Sequence, residues 1–299
     1  MEQIGLLHDG QIYDLQTAEA LNIKGDIIKA DDSKESLEIL RHSCAHMMAQ
    51  AIKELYPEAK FFVGPVVKEG FYYDFKVESK ISDEDLPTIE KKMKEIADRK
   101  LPITRHETTK EEFYEKFKND ELKQAVLKNI KDDTLTIYKQ GDFEDLCRGP
   151  HLPNTRMIRS FKLTRVAGAY LGGDEKNEMI TRIYGIAFFD KQALFDYTKM
   201  IEEAKKRDHR KLGTELELFT FNDDVGAGLP MWLPNGARLR SKLEHLLYKA
   251  HRVRGYEPVR GPEILKSEMW KISGHYANYK ENMYFTTIDE QEYGIKPMN

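Results

Sequence analysis

The sequence has little cysteine and no long apolar run, and each scarcity excludes a class of protein. Its 299 residues include two cysteines, Cys44 and Cys147, which excludes a disulfide-stapled secreted scaffold and favours a reducing compartment. No segment approaches the ~20 consecutive apolar residues that span a bilayer, and the first residues lack the basic and apolar regions of a signal peptide. We therefore expect a cytoplasmic protein without a membrane segment.

Charge of neither sign dominates the composition. The 47 Lys and Arg residues nearly balance 51 Asp and Glu residues, for a net charge of -4. This balance excludes a basic coat for nucleic acid but allows local basic patches. Hydrophobic residues make up 40% of the sequence, which is enough for a sizeable core. The length of 299 residues predicts two or three domains.

Helical and strand patterns alternate without a regular βαβ rhythm, which predicts a multidomain α+β fold. Asp9-Gly10 between two short apolar stretches indicates a hairpin. Asp32 followed by Glu35 has the spacing of a capping box, and apolar residues then recur at helical spacing until Pro57. Further strand signals fall at 60–77, 135–138, 162–171 and 179–189, and further helical patterns at 83–99 and 110–130.

The last third of the chain continues this mixture. Residues 190–212 predict one long helix ending in KKRDHRK, whose cations either complement the helix carbonyl end or contact phosphate. On charge alone we favour the first interpretation. A second amphipathic helix is predicted at 236–254, followed by a short strand at 256–259. The predicted buried side of that helix includes Leu239, Leu243, Leu246 and Leu247.

Two short patterns that contain histidine offer side chains suited to catalysis or to metal binding. His42 and His46 are four residues apart on a predicted helix, so both imidazoles project from one face. Cys147 and His151 flank Gly149-Pro150, which favours a tight loop that presents side chains to a pocket. Three imidazoles and a thiol match the ligand set of a zinc site. They are equally suited to a metal-free hydrolytic pocket, where histidines position water and shuttle protons.

Other candidates are weaker on residue chemistry alone. Gly64 and the run from Gly70 to Asp74, which includes Tyr73, could shape the same pocket because glycine lets a backbone approach a ligand closely. A plain strand and turn is the slightly favoured interpretation of this segment. Lys123 lies in a helical pattern and would ordinarily be on the surface, while Cys44 is expected to be a small core residue.

Several motifs resemble those of the bacterial threonyl-tRNA synthetases, which are class II enzymes. The resemblance runs in order along the chain from about residue 34. It is carried by RHSCAH (41–46), GFYYDF (70–75), FEDLCRGPH (143–151), AGAYLGGDEKNEM (167–179), RIYGIAF (182–188), AKKRDHRKLG (204–213), GYEPVRGPEI (255–264), WKISGHYANYKENM (270–283) and YGIKPMN (293–299).

The resemblance implies a division of the chain into four parts. Residues 1–33 correspond to an abbreviated ubiquitin-like (TGS) segment, and 34–190 to an α+β editing domain that hydrolyses mischarged seryl-tRNA. Residues 191–212 correspond to a linker helix, which raises the expectation that it lies near tRNA. Residues 213–299 correspond to the start of a class II antiparallel-sheet core, in which residues 255–264 resemble motif 1, the element that builds a homodimer interface.

The resemblance also implies which residues form the editing site. His42, His46, Cys147 and His151 match the family's editing pocket, accompanied by Asp145 and Lys123. Substrate contacts are assigned to Tyr73, Gly64 and Met298. The family's editing pocket works without metal, although a related alanyl-tRNA editing domain binds zinc with similar spacing. We therefore expect no metal at this site.

The implied activity of a complete enzyme is threonine–tRNA ligation with editing of seryl-tRNA(Thr). It would use threonine, ATP, Mg²⁺, tRNA(Thr) and one Zn²⁺, whose family ligands would follow Asn299. Because the matching core motifs stop at KPMN, we expect a fragment that carries the editing half. Two alternatives stay open: a stand-alone trans-editing deacylase, and a non-catalytic tRNA-binding module stapled by zinc.

Overall fold

Helices and antiparallel sheets are mixed along the chain in the computed structural model, which describes residues 2–128, 130, 134–226 and 228–296. The chain divides into two compact units, Met1–Lys205 and Lys206–Asn299. Strand pairings within both units are antiparallel in the described residues. The predicted α+β class is therefore confirmed. In the same residues, no helix is long and apolar enough to cross a membrane.

The first unit contains sheets β2-β1-β3, β10-β11-β6-β4 and β7-β8-β9, with β5 paired to β6. Its strands are β1 (Gln3–His8), β2 (Gln11–Asp14), β3 (Asp26–Lys29), β4 (Lys60–Phe61), β5 (Val66–Val67), β6 (Gly70–Lys76), β7 (Ile103–Thr109), β8 (Thr134–Gln140), β9 (Phe143–Leu146), β10 (Ser160–Tyr170) and β11 (Met179–Phe188). Its helices are α1 (Leu15–Ala20), α2 (Lys34–Leu55), α3 (Leu86–Arg99), α4 (Lys110–Lys116), α5 (Glu121–Lys128) and α6 (Lys191–Lys206).

Helix α2 lies at the centre of the first unit. Every residue from Ser43 to Ile52 is buried, because α2 packs against α3 on one side and against β6 and β11 on another. Strand β1 also contacts this helix, so Ile4 and Ile28 belong to the same hydrophobic core as Ile39. The core is thus continuous across residue 33, where the sequence resemblance suggested a boundary.

The N-terminal hairpin and the start of α2 test two local predictions. Asp9 and Gly10 both have positive φ, as the predicted tight turn between β1 and β2 requires. The predicted capping box at Asp32 is wrong, because α2 begins at Lys34 and its N-cap is Ser33. The Asp32 carboxylate instead accepts hydrogen bonds from the backbone N–H groups of Phe189 (2.7 Å) and Asp190 (3.3 Å).

The predicted strands at 162–171 and 179–189 are confirmed as β10 and β11, which pair along almost their whole length. Strand β11 also pairs with β6, and this register places Arg182 opposite Asp74. The Arg182 guanidinium donates two hydrogen bonds to the buried Asp74 carboxylate, at 2.6 and 2.7 Å. Its central carbon lies 3.8 Å from the ring centroid of Tyr72. This bidentate pair joins the two strands.

The prediction of a single long helix over 190–212 is wrong. Helix α6 ends at Lys206, and a separate helix α7 (His209–Glu215) follows. The break falls at Asp208, whose carboxylate accepts a hydrogen bond from the backbone N–H of Arg210 at 2.8 Å. Aspartate is a strong N-cap residue, so it starts a new helix where the apolar periodicity alone suggested continuation.

The second unit holds α7, two small sheets and the helix predicted at 236–254. Its strands are β12 (Phe219–Thr220), β13 (Met231–Trp232), β14 (Ile264–Lys266), β15 (Phe285–Ile288) and β16 (Gln291–Ile295), in the orders β12-β13 and β14-β16-β15. Its other helices are α8 (Pro234–Arg252), α9 (Ser267–Ile272) and α10 (His275–Tyr279). The predicted strand at 256–259 is wrong, since this segment has no regular structure in the described chain.

The prediction that the apolar face of α8 is buried is also wrong. This face is exposed, because nothing in the described part of the second unit covers it. Four leucines that were predicted to be buried have exposed fractions between 47% and 61%: Leu239, Leu243, Leu246 and Leu247.

Candidate active site

The buried helix α2 presents two imidazoles to one point. His42 and His46 are one turn apart, and their ring centroids are separated by 5.3 Å. His46 is only 3% exposed, whereas His42 is half-buried. The spacing in the sequence therefore predicted the shared face correctly.

A loop after β9 brings Cys147 and His151 to the same point. Cys147 Sγ lies 3.1 Å from His42 Nε2 and 3.2 Å from His151 Nε2. Backbone bonds to Thr136 fix the start of the loop, because its carbonyl accepts from Cys147 N at 3.0 Å and its hydroxyl donates to Cys147 O at 2.6 Å. The four predicted residues, His42, His46, Cys147 and His151, offer donor atoms that all lie within 4.8 Å of one another.

Ser43 orients the His151 ring from the same helix. Its hydroxyl donates to the Ile39 carbonyl at 3.0 Å and accepts from Leu152 N at 2.8 Å. His151 Nδ1 lies 3.2 Å from this oxygen. Because the hydroxyl proton is directed to Ile39, we assign a proton to His151 Nδ1, which donates to Ser43. The bare Nε2 of His151 then faces the Cys147 thiol.

A second cluster adjoins the imidazoles. The ammonium of Lys123 and the hydroxyl of Tyr73 both donate short hydrogen bonds to the Asp145 carboxylate. All three side chains are buried, with exposures of 3%, 2% and 1% respectively. Residue chemistry alone placed Lys123 on the surface, which is wrong. The family resemblance assigned both Lys123 and Asp145 to the editing pocket.

Gly64 lies against the Tyr73 ring rather than at the imidazoles. A Cβ atom at Gly64 would lie 2.4 Å from two carbon atoms of that ring, so only glycine fits here without movement. Its contact with the site is therefore indirect, through Tyr73. Met298, the third predicted substrate contact, lies outside the described residues.

Burial sets the protonation states of the cluster. It lowers the pKa of His42 to about 4 and lowers the pKa values of His46 and His151 well below the ordinary value of 6.5. Neighbouring imidazoles add to the effect on His46 and His151. Burial also raises the pKa of the Cys147 thiol. At neutral pH the site thus holds uncharged imidazoles and a protonated thiol.

Two cavities flank these residues. A cavity of about 490 Å³ is lined by Asp145 and Lys123 together with Gln50, Arg99 and Phe143. Another, of about 340 Å³, is lined by Cys147 and Thr136. Each cavity reaches one end of the site, so a ligand has space beside both the Lys123–Asp145 pair and the thiol.

The donor set also suits a metal ion. Three imidazole nitrogens and one thiol sulfur are ligands that zinc prefers, and these donor atoms all lie within 4.8 Å of one another. The hydrogen bond from His151 Nδ1 to Ser43 is the kind of outer contact that orients metal-binding histidines. The chemistry of the four residues therefore fits zinc as well as metal-free hydrolysis.

Sequence reasoning missed three residues that support the site: Asp14, Ser43 and Tyr138. The Tyr138 ring packs against that of His151, with centroids 4.4 Å apart, and the Asp14 carboxylate accepts from the backbone N–H of His151 at 3.0 Å. Ser43 stands within the RHSCAH motif, so its position could have suggested a role. Asp14 carries no such signal, since it lies 137 residues before His151.

One known family matches the part of the chain that carries three of the site residues. Residues 135–184, which include Asp145, Cys147 and His151, match the family described as Threonyl and Alanyl tRNA synthetase second additional domain. The part of the chain that carries these three residues is therefore similar to a domain of the threonyl- and alanyl-tRNA synthetases.

The curated relatives that resemble this chain are threonine–tRNA ligases. The chain is 70% identical over 298 residues to the threonine–tRNA ligase of Campylobacter jejuni, and 68% identical to that of Helicobacter hepaticus. These alignments cover 100% of this chain and 49% of each relative, so the chain spans about half the length of the curated relatives it matches. The resemblance to the threonyl-tRNA synthetases is thereby confirmed.

A solved structure also shares sequence with this chain. The RNA binding domain of threonyl-tRNA synthetase from Cryptosporidium parvum is 47% identical over 31% of this chain and 23% of that chain. Its TM-score of 0.30 is too low to show a common fold, so the likeness is one of sequence.

Proposed function

We propose that this chain carries the editing half of a threonine–tRNA ligase and hydrolyses the ester bond of mischarged seryl-tRNA(Thr). The observation that carries this proposal is the convergence of His42, His46, Cys147 and His151 within 4.8 Å, beside the buried Lys123–Asp145 pair. Uncharged imidazoles can accept a proton at neutral pH, which ester hydrolysis by water requires.

In the proposed reaction, the histidines bind and activate a water molecule. His42 and His46 orient the water, and one imidazole accepts its proton as the oxygen attacks the ester carbonyl carbon. Collapse of the tetrahedral intermediate breaks the bond to the ribose oxygen, and that oxygen takes up the proton. The products are serine and uncharged tRNA. Because the Cys147 thiol is protonated, it serves as a hydrogen-bond donor rather than as a nucleophile.

Lys123 would stabilise negative charge in this reaction. Asp145 fixes the ammonium, and Tyr73 completes the hydrogen bonding of that carboxylate. A cation held in advance in a buried site stabilises a developing oxyanion without reorganisation. Lys123 can alternatively contact the tRNA terminus, and the adjoining cavity has space for it.

The energetics of amino-acid selection explain why such a site is needed. A pocket that hydrogen-bonds the threonine hydroxyl rejects valine strongly, because its polar groups would be left unpaired. Serine keeps the hydroxyl and lacks one methyl group, which is worth roughly 1–3 kcal/mol, or about 10–200-fold. We propose that the editing pocket admits serine and excludes the larger threonine.

The complete enzyme would ligate threonine to tRNA(Thr) with ATP and Mg²⁺ and would bind one Zn²⁺ in its synthetic site. The similarity to threonine–tRNA ligases supports the ligation, and the family resemblance of the sequence supports the cofactors. The proposed domains are 1–33, 34–190, 191–212 and 213–299, and the proposed location is the cytoplasm. The exposed leucines of α8 support a homodimer, because an apolar helix face of this size favours a partner.

The test is deacylation of seryl-tRNA(Thr) and threonyl-tRNA(Thr) by the 299-residue chain, with and without a chelator. We expect chelator-resistant loss of serine and little loss of threonine. His42→Ala with His46→Ala should lower the rate by about 10²–10⁴-fold, while the exposed His106→Ala serves as the control. Unchanged hydrolysis by the double variant would contradict the assignment. A stand-alone deacylase would use the same site, so the assay applies to both forms.

A zinc-stapled module is the second candidate, favoured by the donor set itself. His42, His46, Cys147 and His151 would hold the ion, which would supply rigidity or polarise a bound water. Stoichiometric zinc in the purified protein, with no hydrolysis of seryl-tRNA, would select this candidate.

A further inference from the structure

We propose that Asp14, in the N-terminal segment, is a positioning residue for the candidate active site. Its carboxylate holds the loop that carries His151. The Oδ2 atom accepts hydrogen bonds from the His151 backbone N–H at 3.0 Å and from the Tyr138 hydroxyl at 2.7 Å. The contact is buried, since Asp14 is 2% exposed.

The loop is held from two sides. Asp14 binds the backbone of His151, and Ser43 binds its ring. Tyr138 links the two contacts, because its hydroxyl binds Asp14 while its ring packs against the imidazole. Gly149 permits this close approach, since a Cβ atom there would lie 2.7 Å from Asp14 Oδ2. The Nε2 atom that faces Cys147 is therefore placed by groups on three distant segments.

Asp14 is also the N-cap of α1. Its Oδ1 atom accepts from the Thr17 backbone N–H at 2.8 Å, so each carboxylate oxygen has its own task. The neighbouring Gln16 fastens α1 to β7, because its amide donates to the Ile103 carbonyl and accepts from Arg105 N. The N-terminal segment is thus also held by β7, outside residues 147–152, which helps Asp14 to act as an anchor.

The competing interpretation is that Asp14 only caps a short helix. Asp14→Ser separates the two roles, because serine is a good N-cap but its shorter side chain does not reach His151. Asp14→Asn is the second variant, since its amide has only one acceptor oxygen for the two tasks. Gln16→Ala is the matched control, because it loosens the same helix without touching the loop.

The experiment measures amide hydrogen exchange at residues 147–152 and the deacylation kinetics of seryl-tRNA(Thr) in the full chain. For Asp14→Ser and Asp14→Asn we expect exchange in this loop to accelerate about tenfold or more. We expect kcat to fall by roughly 10- to 100-fold with KM within about twofold of the wild-type value. Gln16→Ala should keep wild-type exchange in the loop and wild-type kcat.

The deacylation measurement rests on the proposed function, whereas the hydrogen-exchange measurement does not depend on it. If the wild-type chain fails to hydrolyse seryl-tRNA, the proposed function is wrong, and accelerated exchange at 147–152 still supports the positioning role. Wild-type exchange in this loop for the Asp14 variants would overturn the inference. Equal acceleration in Gln16→Ala would also overturn it, because the effect would then come from helix α1 as a whole.

Discussion

The Ser43 hydroxyl lies 3.2 Å from Nδ1 of His151 and also accepts the backbone N–H of Leu152 at 2.8 Å. One side chain on α2 therefore fixes both the ring orientation of a site residue and the backbone that follows it. Since Ser43 is completely buried, water does not replace these bonds freely when the hydroxyl is removed.

Ser43→Ala should leave two buried donors unsatisfied, His151 Nδ1–H and Leu152 N–H. We expect a loss of roughly 1–3 kcal/mol in the free energy of unfolding, measured by urea denaturation, and slower hydrolysis of seryl-tRNA. Thr198→Ala is the control, because Thr198 makes the same bond to a carbonyl four residues earlier on a half-buried helix. Equal stability of the two variants would show that Ser43 has no special contribution.

The Lys123–Asp145 pair predicts a large effect of removing one charge. Lys123→Met would leave the Asp145 carboxylate buried without its cation, which typically costs about 3–5 kcal/mol of stability. The double variant with Asp145→Asn should recover part of that loss, because no charge is then stranded. As the exposed comparison, Lys60→Met removes an ion pair with Glu121 and should cost no more than about 1 kcal/mol. A similar cost for both lysines would contradict the prediction.

The depressed histidine pKa values make the stability depend on pH. The folded protein keeps His42 neutral down to about pH 4, and His46 and His151 behave in the same direction, whereas unfolded histidines take up protons near 6.5. Between these values the unfolded state binds more protons, so acidification favours unfolding. The free energy of unfolding should therefore fall as the pH is lowered from 7 to 4.

The measurement is urea unfolding as a function of pH with a chelator present throughout. Each neutral buried histidine contributes up to about 1.4 kcal/mol per pH unit to the slope. His42→Asn with His46→Asn should flatten the slope, and the exposed His245→Asn should retain it. An unchanged slope in the double variant would show that other groups govern the acid sensitivity.

Local patterns predicted the local features of this molecule. The four-residue spacing of His42 and His46 on a helix defined one face, and Gly149-Pro150 indicated the loop that carries Cys147 and His151. The hairpin at Asp9-Gly10 followed from the conformations that this dipeptide tolerates. Each of these features depends on residues that are close in sequence.

The break at Asp208 is local, but other features depend on contacts between distant segments or on the neighbours of an element. Asp32 has the spacing of a cap, but its carboxylate binds the backbone after β11, more than 150 residues away. Asp14 lies at the end of a short strand, and only the fold brings it to His151. The pattern of α8 identified an apolar face correctly but could not say whether an element covers it. Periodicity describes one element, whereas burial depends on its neighbours.

Arg182 provides a test of the sheet that carries Tyr73. Its guanidinium binds both oxygens of Asp74 and stacks on Tyr72, and the side-chain hydrogen bonds raise its pKa above the usual range. Arg182→Lys keeps the charge but loses the bidentate and stacking geometry, so we expect a loss of roughly 1–3 kcal/mol in unfolding free energy. Arg159→Lys, at an exposed pair with Asp98, should be nearly neutral. Equal effects would contradict a special role for the planar group.

Substitution of Gly64 tests whether the position of the Tyr73 ring matters for catalysis. A methyl group at this position would overlap the Tyr73 ring, whose hydroxyl binds the carboxylate that holds Lys123. Gly64→Ala should therefore displace the ring, cost about 1–3 kcal/mol of stability and lower kcat for seryl-tRNA hydrolysis. Gly261→Ala is the control, because a Cβ atom there meets no described atom within 4 Å. Since the displaced ring would disturb Lys123 through Asp145, wild-type kcat in Gly64→Ala would argue against a catalytic contribution from this cluster.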